Sequence, residues 1–206
     1  MIKRFLLSLT IGFLMVGMIT SAMASQINSS SDPVLSGATV IDFETQSLGN
    51  YSNLLINNVN FSGNSNFKID NALSGYNATG KYLENTLTGS NQFIFNFLSP
   101  VSAFGFNWGA SNEDWVLNAY DTSNNLLESY TLPQVWWNNN GEFYGISIAN
   151  ISYATLVQTT FNEDIIDWIL IDNFTYQGNN PVPEPATMLL FGLGLLGLAG
   201  VTRKKN

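Results

Sequence analysis

The sequence contains no cysteine and no histidine. Without these residues the chain has no Ser-His-Asp or Cys-His catalytic arrangement, no disulfide and no ordinary zinc site. Catalysis by a pair of carboxylates, as in glycosidases, is compatible with the composition, but no local motif indicates it. We therefore expect a protein that is not an enzyme.

Basic residues are scarce away from the two ends of the chain. Of seven Lys and Arg, only Lys68 and Lys81 lie within residues 25–180, whereas fourteen of the fifteen Asp and Glu lie there, a formal charge of −12. Phosphate binding requires clustered Lys and Arg, so we expect neither nucleic acid nor an anionic membrane surface as a partner. Cations, neutral polysaccharides and basic surfaces remain as partner classes.

The N-terminus has the three-part layout of a secretory signal peptide, residues 1–24. Lys3 and Arg4 precede an apolar run over residues 5–19, and Ala22 and Ala24 form a small-x-small cleavage site. The pattern predicts cleavage after Ala24; the alternative is a buried N-terminal helix. Residues 25–180 then provide enough chain for one domain with a substantial core.

The middle of the chain shows short apolar alternation punctuated by turns, with no sustained helical period. Pro100 is expected to end one strand, and residues 121–125 are expected to form an Asx-rich turn between two others. Asn140-Gly141 is typical of a two-residue hairpin. Two groups of aromatic residues are each expected on one strand face: Phe93, Phe95 and Phe97, and Phe104, Phe106 and Trp108.

About ten strands at roughly ten-residue spacing predict an all-β fold, an antiparallel β-sandwich over residues 39–177 after a polar lead-in at residues 25–38. A jelly roll is the first choice of topology and an immunoglobulin-like sandwich the second. The run of IDFE, PVSAFGF, LNAYDTSNN, FYGISI and LIDNFTY resembles the β-sandwich domains of many exported surface proteins. Those domains look like carbohydrate-binding modules or galactose-binding-like jelly rolls.

The C-terminal sequence is PVPEPATMLLFGLGLLGLAGVTRKKN. A linker at residues 178–185 ends in Pro183-Glu184-Pro185, an apolar stretch fills residues 186–201, and the tail at residues 202–206 contains Arg203, Lys204 and Lys205. This order closely resembles the PEP-CTERM sorting signal. The resemblance implies export in a Gram-negative-type bacterium, often one that makes exopolysaccharide, and processing near Pro-Glu-Pro by a membrane protease called exosortase.

The physical chemistry of this segment fits a membrane helix that is held before cleavage. A helix over residues 186–201 would be about 24 Å long, shorter than the ~30 Å hydrocarbon core. The basic tail is expected on the cytoplasmic side. Pro183 and Pro185 keep the preceding chain extended and outside the helix, where a protease can reach it. A permanent anchor is the alternative.

Three carboxylates are candidates for a calcium site. Asp42 and Glu44 lie two residues apart on the first predicted strand and should share a face, and Asp172 lies in the last strand. First and last strands are commonly neighbours in jelly rolls, and clustered carboxylates suit Ca²⁺. The alternative is that these carboxylates only accept hydrogen bonds. Glu113 and Asp114, and separately Glu163, Asp164 and Asp167, are expected in solvated loops.

An aromatic and amide cluster is a candidate sugar-binding site. Trp136 and Trp137 precede Asn138 and Asn139 in a predicted loop. Neighbouring strand residues face opposite sides, so one indole should be buried and the other exposed, where it can stack on a sugar ring beside amide groups. Packing within the protein is the alternative. Trp108, Trp115 and Trp168 are expected in the core.

Two functional hypotheses follow. The first is a non-catalytic surface or extracellular-matrix protein that binds extracellular polysaccharide. The second is a structural or adhesive protein of the biofilm matrix with a protein partner. In both, the chain is expected to be anchored in the inner membrane by its C-terminus before processing and then to reach the cell surface or matrix.

Overall fold

The computed structural model describes residues 24–73, 75–85, 91–136, 139–159 and 167–179. These residues form antiparallel β-strands and one 3-10 helix, Pro33–Leu35. The prediction of an all-β antiparallel fold is confirmed. The predicted helices at the two ends lie outside the described residues. The strands are β1 (Ser25–Ile27), β2 (Thr39–Ile41), β3 (Gly49–Ile56), β4 (Val59–Asp70), β5 (Tyr82–Asn85), β6 (Gln92–Gly109), β7 (Trp115–Tyr120), β8 (Leu126–Leu132), β9 (Phe143–Gln158) and β10 (Leu170–Gly178).

The two longest strands, β6 and β9, pair with each other and are shared by two layers. The first half of β6 pairs with β4, and the second half pairs with β10. In the same way, the first half of β9 pairs with β1 and the second half with β7. The ten strands form one continuous sheet. We call the part with the order β3-β4-β6-β9-β7-β8 the first layer; β10, which pairs with β2, β5 and the second half of β6, lies in the second layer, and β5 connects the two by pairing with β4 as well.

Strand β6 folds back so that its two halves face each other across the core. In a straight strand Phe95 and Phe106 would lie about 36 Å apart. Their ring centroids are instead 5.7 Å apart, and those of Phe97 and Phe104 are 5.5 Å apart. These aromatic side chains are all buried, as the alternation predicted.

Phe174 of β10 lies at the centre of this core. Its ring is 5.1 Å from Phe61 and 5.0 Å from Phe95, and it also packs against Phe97, Phe104 and Phe106. Each such aromatic pair adds about 0.5–1.5 kcal/mol to the effect of area burial. The facing aromatic side chains therefore hold the two layers together.

Pro100 does not end a strand, contrary to the prediction. β6 continues through it, with its register against β9 shifted between Asn96 and Val101. Leu98 and Pro100 are exposed at this bend. Proline lacks a backbone N–H, and a bend with a shifted register tolerates that loss, whereas a regular central ladder does not.

Other local predictions can be compared with the strand pairing. β7 and β8 form the predicted hairpin, in which Asp121 Oδ1 accepts hydrogen bonds from the N–H groups of Ser123 and Asn125. The region predicted as a polar lead-in is part of the domain, because β1 pairs with β9 and buries Ile27. Early and late strands are neighbours as expected, since β2 pairs with β10.

Candidate functional site

Several loops meet at the end of β6 that is marked by Gly109, and we call this region the β6 end. Asn77 Nδ2 donates to the Trp108 carbonyl at 2.8 Å, which brings the loop before β5 to this end. The Val135 N–H donates to the Ser111 carbonyl at 3.0 Å, which brings the β8–β9 loop to the same place. Val135 and Trp136 therefore belong to a cluster of loops.

Asn77 is the residue that joins these loops. Its side chain is buried, and its Oδ1 accepts a hydrogen bond from the Gly141 N–H at 2.7 Å. Its Nδ2 also donates to Glu142 Oε2 at 2.5 Å, and its own N–H donates to Asn139 Oδ1 at 2.9 Å. Asn77 adopts a left-handed φ of 59°, which asparagine tolerates better than most residues. The side chain and backbone N–H of one residue thus hold Asn139, Gly141 and Glu142 in place.

Gly109 allows the loop before β5 to lie directly on the end of β6. A Cβ atom at this position would be 1.7 Å from the Tyr76 carbonyl oxygen and 2.6 Å from the Tyr76 carbonyl carbon. Both are backbone atoms, so no side-chain rotation can relieve the overlap. The contact between the loop and β6 depends on the absence of a side chain here.

Trp136 is exposed on this rigid support, with 56% of its surface accessible, while the preceding Val135 is buried. Asn139 is exposed, but its Oδ1 accepts the Asn77 N–H. Trp137 and Asn138 lie outside the described residues. Of the predicted sugar-binding residues, Trp136 is thus available to a ligand.

Asn140-Gly141 does not close a two-residue hairpin, contrary to the prediction. It lies in the loop between β8 and β9. These two flanking strands pair with other strands: β8 with β7, and β9 with β1, β6 and β7. Gly141 has the positive φ, 78°, that the motif favours. The N–H groups of both residues bind side chains, those of Glu142 and Asn77 respectively, instead of closing a strand pair.

The candidate calcium residues lie near one another, and each of them accepts hydrogen bonds from backbone N–H groups. Asp42 and Glu44 follow β2 instead of lying in it, and Phe43 between them has a φ of 59°, which breaks the strand alternation. Asp42 Oδ1 accepts the Glu44 N–H at 3.2 Å, and Glu44 Oε1 accepts the Lys81 N–H at 2.8 Å. Within the described parts of the chain, no group of three or more acidic residues is arranged to hold a metal ion.

Asp172 is the most perturbed carboxylate of this group. It is 1% exposed, and its oxygens accept hydrogen bonds from the N–H groups of Thr79 at 3.0 Å and Asn173 at 2.6 Å. Burial raises the pKa of Asp172 to about 6, and the negative charges of Glu44 and Asp42 add to this, while the two N–H donors act against it. Asp172 thus connects β10 to the loop before β5.

Asp167 is a buried structural residue, although the sequence placed it in a solvated loop. It is 2% exposed, and it accepts hydrogen bonds from Asn112 N at 2.8 Å, Glu113 N at 3.2 Å and Trp115 Nε1 at 2.7 Å. Burial raises its pKa above the usual range. The WIL sequence that follows Asp167 was the available signal, because it indicates a buried segment. Glu163 and Asp164 lie outside the described residues.

Glu84 is also a buried carboxylate, and sequence reasoning did not single it out. It is 6% exposed, its Oε2 accepts the Trp168 indole N–H at 3.1 Å, and its Oε1 lies 3.6 Å from Lys68 Nζ. Burial raises its pKa. Trp168 is half-buried, whereas Trp108 and Trp115 are fully buried, as predicted.

The comparisons with known proteins concern the C-terminus most directly. Residues 181–204 match the PEP-CTERM protein-sorting motif. The chain carries a PEP-CTERM sorting signal. The match includes Pro183, Glu184, Pro185, Arg203 and Lys204, and Lys205 lies just beyond it. The PEP-CTERM signal implies export, anchoring in the membrane by the C-terminus before processing, and processing by exosortase, a membrane protein.

The sorting signal itself lies outside the described residues. Among the residues that the structure does describe, no helix is long and apolar enough to cross a membrane. The predicted membrane helix at residues 186–201 therefore remains a prediction.

Similarities to other proteins are weak. A comparison with curated proteins gives no match. A DUF4465 family protein from Bacteroides caccae is 13% identical, with 79% of this chain and 96% of that chain covered and a TM-score of 0.37. The K1 cleaved adhesin domain of Lys-gingipain from Porphyromonas gingivalis is 15% identical, with 77% and 100% covered and a TM-score of 0.35.

A third solved structure covers less of its own chain. The enzymatically active domain of tailspike protein 4 from bacteriophage CBA120 is 16% identical, with 66% of this chain covered and a TM-score of 0.34. The chain spans 20% of the length of that tailspike structure. These similarities are too low to support an inference about ligand or activity.

Proposed function

We propose that the PEP-CTERM protein is a non-catalytic component of the cell surface or extracellular matrix that binds extracellular polysaccharide. The observation that carries this proposal is the exposed Trp136 indole on the rigid loop cluster of the β6 end. An indole face stacks on the apolar face of a sugar ring, and a preordered loop lowers the entropic cost of binding. Export through the sorting signal brings this surface to the compartment where such polymers occur.

The proposed domain type is a β-sandwich with a jelly-roll topology, and an immunoglobulin-like sandwich is the alternative. The facing halves of β6, with Phe95 and Phe106 in contact, support two packed layers. The pairing of β2 with β10 is compatible with a jelly roll, in which an early and a late strand are neighbours.

The absence of catalysis is part of the proposal. A carboxylate pair is the glycosidase chemistry that the composition allows. Each of the three most buried carboxylates, Glu84, Asp167 and Asp172, accepts hydrogen bonds from backbone or indole N–H groups. These bonds explain their burial without a substrate. Incubation with polysaccharide should therefore produce no new reducing ends, and a steady increase in reducing ends would contradict this part of the proposal.

The binding proposal is tested by retention of the full chain on immobilised polysaccharides, measured with the wild type and with Trp136→Ala. The variant should lose about tenfold in affinity, because one sugar-stacking indole contributes roughly 1–1.5 kcal/mol. Leu98→Ala is a matched control, since Leu98 is 62% exposed but lies at the bend in β6. Equal affinity of wild type and Trp136→Ala would remove Trp136 from the binding surface.

A lack of retention of the wild type on every polysaccharide would favour the alternative, a structural or adhesive protein of the biofilm matrix with a protein partner. The same exported chain and sorting signal serve both functions. The retention experiment on the wild type therefore separates them before any variant is made.

A further inference from the structure

The outer face of the first layer is a second candidate surface. In β6, Phe93, Phe95 and Phe97 point into the core, so Ile94 and Asn96 point outward. Residues directly opposite each other on paired antiparallel strands share a face. The strand register therefore identifies every residue that lies beside Ile94 and Asn96 on this outer face, across six strands.

We call this surface the outer face and define it by three rows that run across the strands. The first row is Leu126, Tyr120, Tyr153, Asn96, Asn60 and Leu55. The second row is Ser129, Asn118, Thr155, Ile94, Ser62 and Asn53. The third row is Thr131, Val116, Val157 and Gln92. Six strands at about 4.8 Å spacing make a surface about 24 Å wide.

None of these positions carries a charged residue, although residues 25–180 have a formal charge of −12. Glu128 is the acidic residue in the strand segments concerned, and it pairs with the buried Ala119, so it belongs to the opposite side of β8. Lys68 and Asp70 lie in the part of β4 beyond the rows. The outer face is thus free of acidic residues.

Nine of the sixteen residues of the outer face are polar and two are tyrosines; the other five are Leu55, Leu126, Ile94, Val116 and Val157. Tyr120 and Tyr153 stack with ring centroids 4.7 Å apart and ring planes at 8°. The Ser129 hydroxyl donates to Asn118 Oδ1 at 2.7 Å, which fixes the orientation of that amide. Asn96 is exposed beside Tyr153 in the first row. Amides, hydroxyls and aromatic rings therefore share one face of the sheet.

We propose that the outer face binds a neutral polysaccharide that lies across the strands. This inference rests on the proposed function; it adds a second surface to the β6 end and narrows the ligand class. A sugar hydroxyl both donates and accepts hydrogen bonds, so it can pair with either end of an amide such as Asn96. The tyrosine rings offer apolar contact to the ring carbons.

The charge distribution selects a neutral polymer over an acidic one. The outer face has no Lys or Arg to pair with a carboxylate or sulfate, and the formal charge of −12 over residues 25–180 opposes the approach of an anionic polymer. A second copy of the chain fits less well. A dry contact would bury exposed amides such as Asn96 and Asn53 without partners.

The test uses the full chain, purified in a detergent without a sugar headgroup, with cellulose, dextran and mannan as neutral probes and alginate as the acidic probe. We expect the wild type to bind at least one neutral probe and not to bind alginate in the presence of a chelator. Asn96→Ala should weaken neutral binding about tenfold, because it removes an exposed amide that can make two hydrogen bonds. Since Asn96 is exposed, this variant should keep its fold.

Asn50→Ala is the matched control, an exposed asparagine of β3 that pairs with Lys68 outside the rows. It should bind as the wild type does. Tyr120→Ala is the second variant and should also weaken neutral binding.

Three results would overturn the inference, and they differ from one another. Unchanged affinity in Asn96→Ala and Tyr120→Ala, with a loss in Trp136→Ala, would leave the proposed function intact and place binding at the β6 end. No binding of the wild type to any probe would overturn the proposed function as well. A dimer in sedimentation experiments that Asn96→Ala dissociates would make the outer face an interface between copies.

Discussion

Asp172 offers a quantitative test of the packing between β10 and the loop before β5. Its carboxyl group is 1% exposed, and burial raises its pKa from 3.8 to about 6. The folded protein therefore binds this proton more tightly than the unfolded chain does. As the pH rises from about 4 to about 6, the folded state must give up the proton at a cost, so the free energy of unfolding decreases.

The size of this effect follows from the pKa difference. A difference of about two units corresponds to about 3 kcal/mol, at 1.36 kcal/mol per unit. In Asp172→Asn the group no longer titrates. The variant also places an amide N–H₂ against one backbone donor, either Thr79 N–H or Asn173 N–H, but this cost does not change with pH. The informative quantity is therefore the pH dependence of stability and not its absolute value.

Urea unfolding followed by tryptophan fluorescence at pH 3.5 and pH 7 measures this dependence, because Trp108 and Trp115 are buried. The wild type should lose about 3 kcal/mol more than Asp172→Asn between the two pH values. Glu128→Gln, a half-buried carboxylate of β8, serves as the control and should follow the wild type. Identical pH dependence in wild type and Asp172→Asn would refute the burial and proton affinity assigned to Asp172.

Two further predictions concern the backbone and the N-terminus. Gly109→Ala should lower the free energy of unfolding by about 2 kcal/mol or more, because its Cβ would overlap Tyr76 backbone atoms. Gly178→Ala, in a strand with nothing within 4 Å of the added Cβ, should leave stability nearly unchanged, and equal effects of the two changes would contradict the close contact. The exported protein should begin at Ser25, the first residue of β1, and an intact mass that includes residues 1–24 would contradict the signal-peptide prediction.

Local patterns in the sequence predicted the strands and their inward faces well. Phe93, Phe95 and Phe97 alternate with polar residues, and burial on one face needs no knowledge of the partner strand. The turn at residues 121–125 was also predictable, because Asp121 binds N–H groups only two and four residues away. Each of these features depends on residues close in the chain.

Features that depend on distant residues were not predictable in this way. Asn77 binds Gly141 and Glu142, more than sixty residues away, and no local pattern marks it as the centre of a loop cluster. The fold-back of β6 near Pro100 is decided by the packing of Phe174 between its two halves. Propensity alone indicated a strand end at the proline.

The calcium hypothesis failed to gain support for a related reason. Strand alternation placed Asp42 and Glu44 on one face, but β2 ends at Ile41, and the positive φ of Phe43 breaks the alternation between the two carboxylates. The two carboxylates instead accept hydrogen bonds from backbone N–H groups: Asp42 from Glu44, and Glu44 from Lys81. The outer face was also missed, because its rows combine residues from six strands and become visible only when the register is known.

The most direct test of the account is the processing of the C-terminus in a host that contains an exosortase. The intact mass of the exported protein should show that the wild type has lost its C-terminal segment near Pro183-Glu184-Pro185. A variant with all three residues changed to alanine should keep residues 186–206 and remain in the membrane fraction. The matched control is replacement of Asn179 and Asn180, just before the motif, by alanine, which should leave processing intact. Trimming of the triple variant at the wild-type position and rate would contradict sorting through this motif.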